Sequence, residues 1–305
     1  MTWLLWRQHR IHLAIAGILL AAFGIPALVT GGHLADALSA CQSSGCSGVD
    51  LLDQYRGMNV LVDLTIMVPL LIGVFWGAPI VGKELETGTA VLPWTQSSTR
   101  RHWLRMKLVT LFGLAALSSA AVSGLVTWWS QAHNSTVESR FTGLQFDIQG
   151  IVPVAYAIFA AAVGLTAGIV WRRALPAMAT TVGVFVGVRL LVELVFRQSY
   201  MSPLTLGSSL GVKSDIPSGS LGISSDLYYH GHVVNGQVNL PDACVSATSR
   251  DAMSACMDAH GYQFRATYQP ASRYWPFQFI EAGIFVALAA ALTVLAIIWL
   301  RRHDA

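Results

Sequence analysis

Four charged residues interrupt otherwise apolar stretches of this 305-residue chain: Asp63, Arg189, Glu193 and Glu281. A carboxylate or guanidinium in hydrocarbon is costly and is kept there by an opposite charge, by water or by a task. Arg189 and Glu193 stand four apart and can pair along one helix face. A polar cluster of this kind could gate a path or touch a cationic substrate. It could equally be a satisfied ion network, or residues reaching an interface. A second set lies at 82–103, where Lys83, Glu84, Glu86, Gly88 and Thr89 precede Trp94, Thr95, Gln96 and the basic pair Arg100-Arg101. Carboxylates at 84 and 86 on a short surface helix suit basic residues of a partner. Trp94 suits either a partner's pocket or the headgroup level of a bilayer.

The chemistry of an enzyme is missing from the sequence. It contains no GxxxxGK[ST] phosphate loop, no HExxH and no GxSxG. The expectation is a chain without a nucleotide-binding motif, catalytic residue or metal set of its own. His230 and His232 read as polar surface. The four cysteines, Cys41, Cys46, Cys244 and Cys256, fall in two polar segments. The local pairs Cys41–Cys46 and Cys244–Cys256 are the expected disulfides, although four cysteines allow three connectivities. A metal site is the rival reading and lacks CxxC spacing.

The elements that must position these residues are set by composition. The chain is 54% hydrophobic and 11% charged, against about 25% charged in an ordinary soluble domain. That balance excludes a soluble enzyme, a disordered chain and a typical nucleic-acid binder. A membrane span needs roughly 20 apolar residues. Six stretches qualify: 12–30, 60–81, 104–129, 151–171, 175–196 and 277–300. The first reads as a retained span, because no small-residue cleavage site is evident and a charged, Trp-rich segment precedes it. The expectation is an all-α polytopic membrane protein of six helices.

Basic residues crowd one side. With the N-terminus inside, the inner segments hold eleven Lys and Arg against three acids, while the outer segments hold seven against ten. The positive-inside rule then places both termini in the cytoplasm of a multi-pass cell-membrane protein. The inner loops are 82–103 and the tight turn 172–174; the outer ones are 31–59, 130–150 and 197–276. Arg189 lies about 21 Å along the fifth helix at 1.5 Å per residue, level with Asp63 and Glu281 toward the outer half.

The segment 1–11 suits an interfacial elbow helix carrying Trp3, Trp6, Arg7 and Arg10. Segment 197–276 is long and polar enough for a small extracytoplasmic domain. Within it, Val233 to Val238 reads as a hairpin turning at Asn235-Gly236. Ser249 to His260 reads as a helix with Ser249 as N-cap and Gly261 past its end. A Cys244–Cys256 bridge would tether that helix. Segment 277–305 is the last span and a cytoplasmic tail. Gly73/Gly77, Gly164/Gly168 and Gly183/Gly187 are GxxxG pairs that allow close helix contact, within one chain or between two.

With these residues in view, the chain resembles the permease subunits of ABC-2 type exporters, and more narrowly an actinobacterial branch of them. Glu84-Leu85-Glu86-Thr87-Gly88-Thr89 is similar to the segment that follows the second span and docks on the ATPase. Pro93-Trp94-Thr95-Gln96-Ser97, the opening Thr2 to Arg10, and Tyr268 to Trp275 with Glu281-Ala282-Gly283 resemble the branch. The resemblance covers essentially the whole chain; the large segment before the last helix departs from the minimal family pattern. It implies a transport subunit that dimerises, simplest as a homodimer, and binds two copies of an ATPase holding ATP and Mg. It also implies an exported drug, antibiotic, peptide or lipid-like substrate. It implies an ATPase-coupling role for Lys83 to Gln96 and a central interface near helices two and five. A membrane sensor or scaffold, whose 197–276 segment binds an extracellular ligand, is the alternative reading.

Overall fold

A computed structural model describes residues 17–18, 20–34, 36–37, 40, 55–88, 100–134, 140–141, 143–208, 216–217, 219–234, 242–246 and 249–303. Among them, five helices are long and apolar enough to cross a membrane, and a shorter apolar helix, α1 (Leu20–Leu34), lies where the first span was expected. Within that helix the Thr30 hydroxyl donates back to the Pro26 carbonyl at 2.7 Å, which satisfies it without leaving the helix. The elbow segment 1–11, Cys41, Cys46, Thr89, Trp94, Thr95 and Gln96 lie outside the described residues.

The first long helix, α2 (Arg56–Glu86), is irregular where its prolines fall. Pro69 and Pro79 cannot donate to the preceding turn, and the backbone tightens over Thr65–Met67 and widens over Gly73–Gly77. No proline stands between Val81 and Glu86, and Gly82 is buried against Gly168, so the helix runs through the acidic pair. It stops at Gly88, whose φ of +68° suits glycine. Glu84 and Glu86 thus occupy the last turn of α2, rather than a separate surface helix.

After α3 (Arg100–Asn134) comes a six-residue helix, α4 (Gly143–Ile148). The sequence placed it in a polar loop. It is instead buried: Gln145, Phe146, Asp147 and Ile148 are all enclosed. Then α5 (Val152–Trp171) forms the centre of the bundle, with 72% of its span buried, against 17% for α6 (Ala174–Ser199). Arg172, with φ of +51°, makes the tight turn between α5 and α6. The end of α6 widens at Val192–Phe196 before a last tight turn at Arg197–Ser199. The final helix, α9 (Tyr274–His303), packs along α5.

Glycine sets the α2–α5 contact. A Cβ on Gly73 would stand 2.6 Å from the Ala160 carbonyl oxygen, and one on Gly168 2.6 Å from that of Ala78. Gly164 is closed in by Gly73 and Ala78. Two of the three GxxxG pairs are therefore used within the chain. Gly183 and Gly187 on α6 face open space.

Between α6 and α9 lies a four-stranded antiparallel sheet of order β1-β4-β2-β3, from β1 (Leu204–Ser208), β2 (Leu221–Tyr229), β3 (His232–Val233) and β4 (Tyr262–Gln269). It holds more strand than the single hairpin expected. The described turn is His230-Gly231, both with positive φ, joining β2 to β3. Asn235-Gly236 lies outside the described residues. Two short helices, α7 (Asp242–Val245) and α8 (Arg250–Ala259), precede β4. The Ser249 side chain accepts from the Ala252 amide at 3.1 Å, and Gly261 takes φ of +85° past the helix end. Both follow from the capping residues in the sequence.

Candidate functional site

The bundle has a sheet side, where α6 ends and α9 begins, and a far side, where α2 ends and α6 begins. Buried polar groups concentrate near both.

On the sheet side, four elements deliver one ion network. α4 contributes Asp147, α5 Tyr156, α6 Arg189 and Arg197, and α9 Glu281. Arg197 donates from Nε to Glu281 Oε2 at 3.0 Å and from Nη2 to Glu281 Oε1 at 2.7 Å. The same Nη2 reaches Asp147 Oδ1 at 2.5 Å. Arg189 Nη2 donates to the other Asp147 oxygen at 2.6 Å. The Tyr156 hydroxyl lies within donating reach of both carboxylates, 3.0 Å from Asp147 Oδ1 and closer to Glu281 Oε1. Tyr200, just past α6, donates to Glu281 Oε2 at 3.2 Å. Burial, with the Glu281 carboxylate beside it, pushes the Tyr200 phenol up, so it remains a donor.

Two arginines and two carboxylates balance within this core. Glu281 is fully enclosed and Arg197 only 4% exposed. The Arg197 guanidinium also lies over the Phe146 ring at 4.6 Å. Glu193, half-exposed, approaches Arg197 Nη1 at 3.9 Å. The pair anticipated from sequence, Arg189 with Glu193, is replaced by Arg189 with Asp147, because the widened turn begins between them and Asp147 lies nearer. Asp63 is half-buried on α2, and the network described here is built without it.

Beside the ions, Gln278 on α9 closes the α4–α5 corner. Its Oε1 accepts from the amides of Ile151 and Val152, each at 3.0 Å. Its Nε2 donates to the carbonyls of Phe146 at 3.0 Å and Gln149 at 3.2 Å. One amide thus satisfies orphan groups at the end of one helix and the start of the next. Gly150, φ +74°, leaves room for it. Ser123 and Thr127 of α3 bond the Gly150 backbone from the other side.

The sheet is tied to this end of the bundle. Gln269, fully buried at the end of β4, donates to the Met201 carbonyl at 2.7 Å. Arg273 donates to the Ser202 carbonyl at 2.6 Å and to Gln269 Oε1 at 2.5 Å. Away from the bundle, Cys244 and Cys256 are paired, with Cα atoms 5.4 Å apart, and His260 Nδ1 stands 3.8 Å from each sulfur. The same His260 nitrogen lies 2.8 Å from the Cys256 carbonyl oxygen, where it donates.

On the far side, Glu84 pairs with Lys107 of α3 at 2.5 Å, and Lys107 also donates to the Ile80 carbonyl at 2.8 Å. Glu86 Oε2 accepts from the Ala174 amide at 3.1 Å, in the first turn of α6. A carboxylate there also complements the helix dipole. Lys83 is exposed, and its carbonyl accepts from the Thr87 hydroxyl. Glu84 and Glu86 are therefore both engaged within the chain, one to α3 and one to α6.

Of the residues singled out from sequence, Arg189, Glu193 and Glu281 come together. Asp147, Tyr156, Arg197 and Tyr200 were missed. One signal was present: Arg189, Glu193 and Arg197 are spaced i, i+4, i+8, a single helical stripe.

Five long apolar helices around a buried ion network define a multi-pass helical membrane protein. Residues 16–197, more than half of the chain, match the model of a family described as ABC-2 membrane transporter related. The chain belongs to that family. Its permeases are membrane transport components, not themselves catalytic, and generally work with an ATPase partner. No curated protein and no solved structure matches the chain.

Proposed function

We propose that this chain is the permease subunit of an ATP-driven exporter. It moves a drug, antibiotic, peptide or lipid-like substrate out of the cell. ATP and Mg are held by two copies of a separate ATPase, and a second copy of the permease completes the path. In this reading the far side is cytoplasmic, with both termini, and the sheet side is outside. The narrower placement in an actinobacterial branch rests on the sequence segments at 2–10, 93–97 and 268–283.

The observation that carries the reading is the family match joined to the last turn of α2. That turn holds the acidic motif, and its two carboxylates grip α3 and α6. A partner pressing on 83–88 moves three helices together, which suits coupling better than a loop free of the bundle. Glu84 and Glu86 act here as transmitters, and Lys83, Gly88, Thr89, Trp94, Thr95 and Gln96 supply the surface a partner would meet.

Affinity purification of the full chain from its native membranes tests this. An ATPase subunit is expected to accompany it, and the Glu84→Gln/Glu86→Gln chain is expected to reach the membrane yet lose ATP-driven efflux. Absence of any ATPase together with unchanged efflux in that variant would overturn the proposal.

A further inference from the structure

We infer that Cys244, Cys256 and His260 form a site for Zn²⁺ whenever the two cysteines are thiols, so that the bridge and the metal are alternative states of one triad. The chain is made with thiols, so the metal-binding form needs no reductant to arise.

The ligand atoms of all three residues lie within 4.8 Å of one another. Cys256 and His260 stand four apart at the end of α8 and so share one helix face. That Cys-x3-His step is short-range ligand spacing of a kind a search for CxxC passes over. Cys244 comes from α7 and is fully buried, whereas His260 is exposed. The site therefore has a fixed inner ligand and an open outer side, where water can fill a fourth position.

The distances suit a tetrahedral ion. Bonds of about 2.3 Å to sulfur and about 2.1 Å to nitrogen put nitrogen and sulfur about 3.6 Å apart. His260 Nδ1 is 3.8 Å from each sulfur. A histidine that only closed the end of α8 would need the Cys256 carbonyl, 2.8 Å away, and no equal approach to both sulfurs. The sulfurs themselves must part to about 3.8 Å in such a geometry. With Cα atoms 5.4 Å apart, rotation of the two side chains achieves this.

Binding is a ligand exchange in which no electron moves. The ion takes two thiolates and one neutral imidazole, and the two thiol protons go to water. Nδ1 gives up its bond to the Cys256 carbonyl, and the imidazole proton moves to Nε2. Two thiolates select Zn²⁺ over Mg²⁺ or Ca²⁺, which prefer oxygen. The bound ion ties α7 to α8 as the bridge does, beside Met257 and Tyr262. A core this small gains from either staple.

The experiment uses the full chain in detergent with Cys41→Ser/Cys46→Ser, which leaves Cys244 and Cys256 as its thiols. Reduced with a phosphine and kept from oxygen, it should bind one Zn²⁺ with a Kd of about 1 µM or tighter. The oxidised chain should bind none. Absence of binding by the reduced chain, or equal binding by the oxidised one, would overturn the site. Co²⁺ in place of Zn²⁺ should show thiolate charge-transfer and tetrahedral ligand-field absorption, and an octahedral spectrum refutes the triad. His260→Ala should weaken Zn²⁺ binding about tenfold or more; an unchanged Kd shows a bare dithiol and ends the proposal. If the oxidised His260→Ala chain is already protease-sensitive over 216–269, His260→Cys decides. A third thiolate should strengthen the Co²⁺ charge-transfer band, and an unchanged band means that position 260 does not reach the metal. None of these readings involves an ATPase or transport, so the site and the exporter reading stand or fall separately.

Discussion

Asp147 and Arg197 are fifty positions apart in sequence and meet at 2.5 Å, carboxylate to guanidinium, where both are buried. Neither lies within the apolar stretches that composition picks out. Their contact joins α4 to α6, and through Glu281 to α9. Arg197 serves both buried carboxylates, so its removal and that of Glu281 should not be additive. Arg197→Met alone leaves Asp147 and Glu281 short of a donor and is expected to cost about 3–5 kcal/mol. The Arg197→Met/Glu281→Leu pair should cost clearly less than the sum of its two singles. Thermal unfolding of the purified chain in detergent, run as a double-mutant cycle, measures the difference.

Gln278 makes a sharper case, because no charge is involved. It serves two amides and two carbonyls at the α4–α5 corner. Gln278→Leu keeps the volume and strands four backbone groups. The expected loss is about 2–4 kcal/mol, and Gln278→Glu should recover only the two amide donors. Midpoints of thermal aggregation in the same detergent rank the three chains.

The contrast between these residues and the rest shows what a sequence reveals. Periodic hydrophobicity and capping residues are local, so α8, with Ser249 and Gly261, and the tight α5–α6 turn were readable. The sheet between α6 and α9 was only partly so: its β2–β3 turn uses His230-Gly231, where the stronger Asn-Gly signal lies a few residues on. Arg197 was legible in principle from its spacing to Arg189 and Glu193, but it stood at the polar edge of the span. Asp147 was not. Six residues carry too little periodicity to declare a buried helix, and what buries this one is Gln278 and two arginines from distant segments. Glu84 and Glu86 were seen as chemically informative, but their partners, Lys107 and the Ala174 amide, depend on how α2 packs.

Glycine packing gives a paired prediction. Gly164→Ala pushes a methyl group into the backbone of Gly73 and Ala78, which cannot move as a side-chain tip can. About 3 kcal/mol of destabilisation is expected. Gly183→Ala meets nothing within 4 Å and should be neutral or slightly stabilising as measured on the single chain. If Gly183→Ala instead weakens self-association while leaving the chain's own unfolding unchanged, α6 lies at a contact between copies. Cross-linking in native membranes reads that second quantity.

The Cys244–Cys256 pair spans twelve positions and sits beside Met257 and Tyr262 in the small cluster under β2 and β4. Closing a loop of that size removes chain entropy worth about 3 kcal/mol from the unfolded state. The sheet and α8 have little other core, so the loss should fall there and spare the bundle. Cys244→Ser/Cys256→Ser is therefore expected to make 216–269 sensitive to protease added from the outside, while α5 and α9 stay protected. Limited proteolysis followed by mass spectrometry separates the two regions. Mass spectrometry of the unreduced parent after alkylation should find neither cysteine modified. Alkylated Cys244 and Cys256 in the parent, or a sheet region in the variant as resistant as the parent's, would show that the bridge is not what holds it.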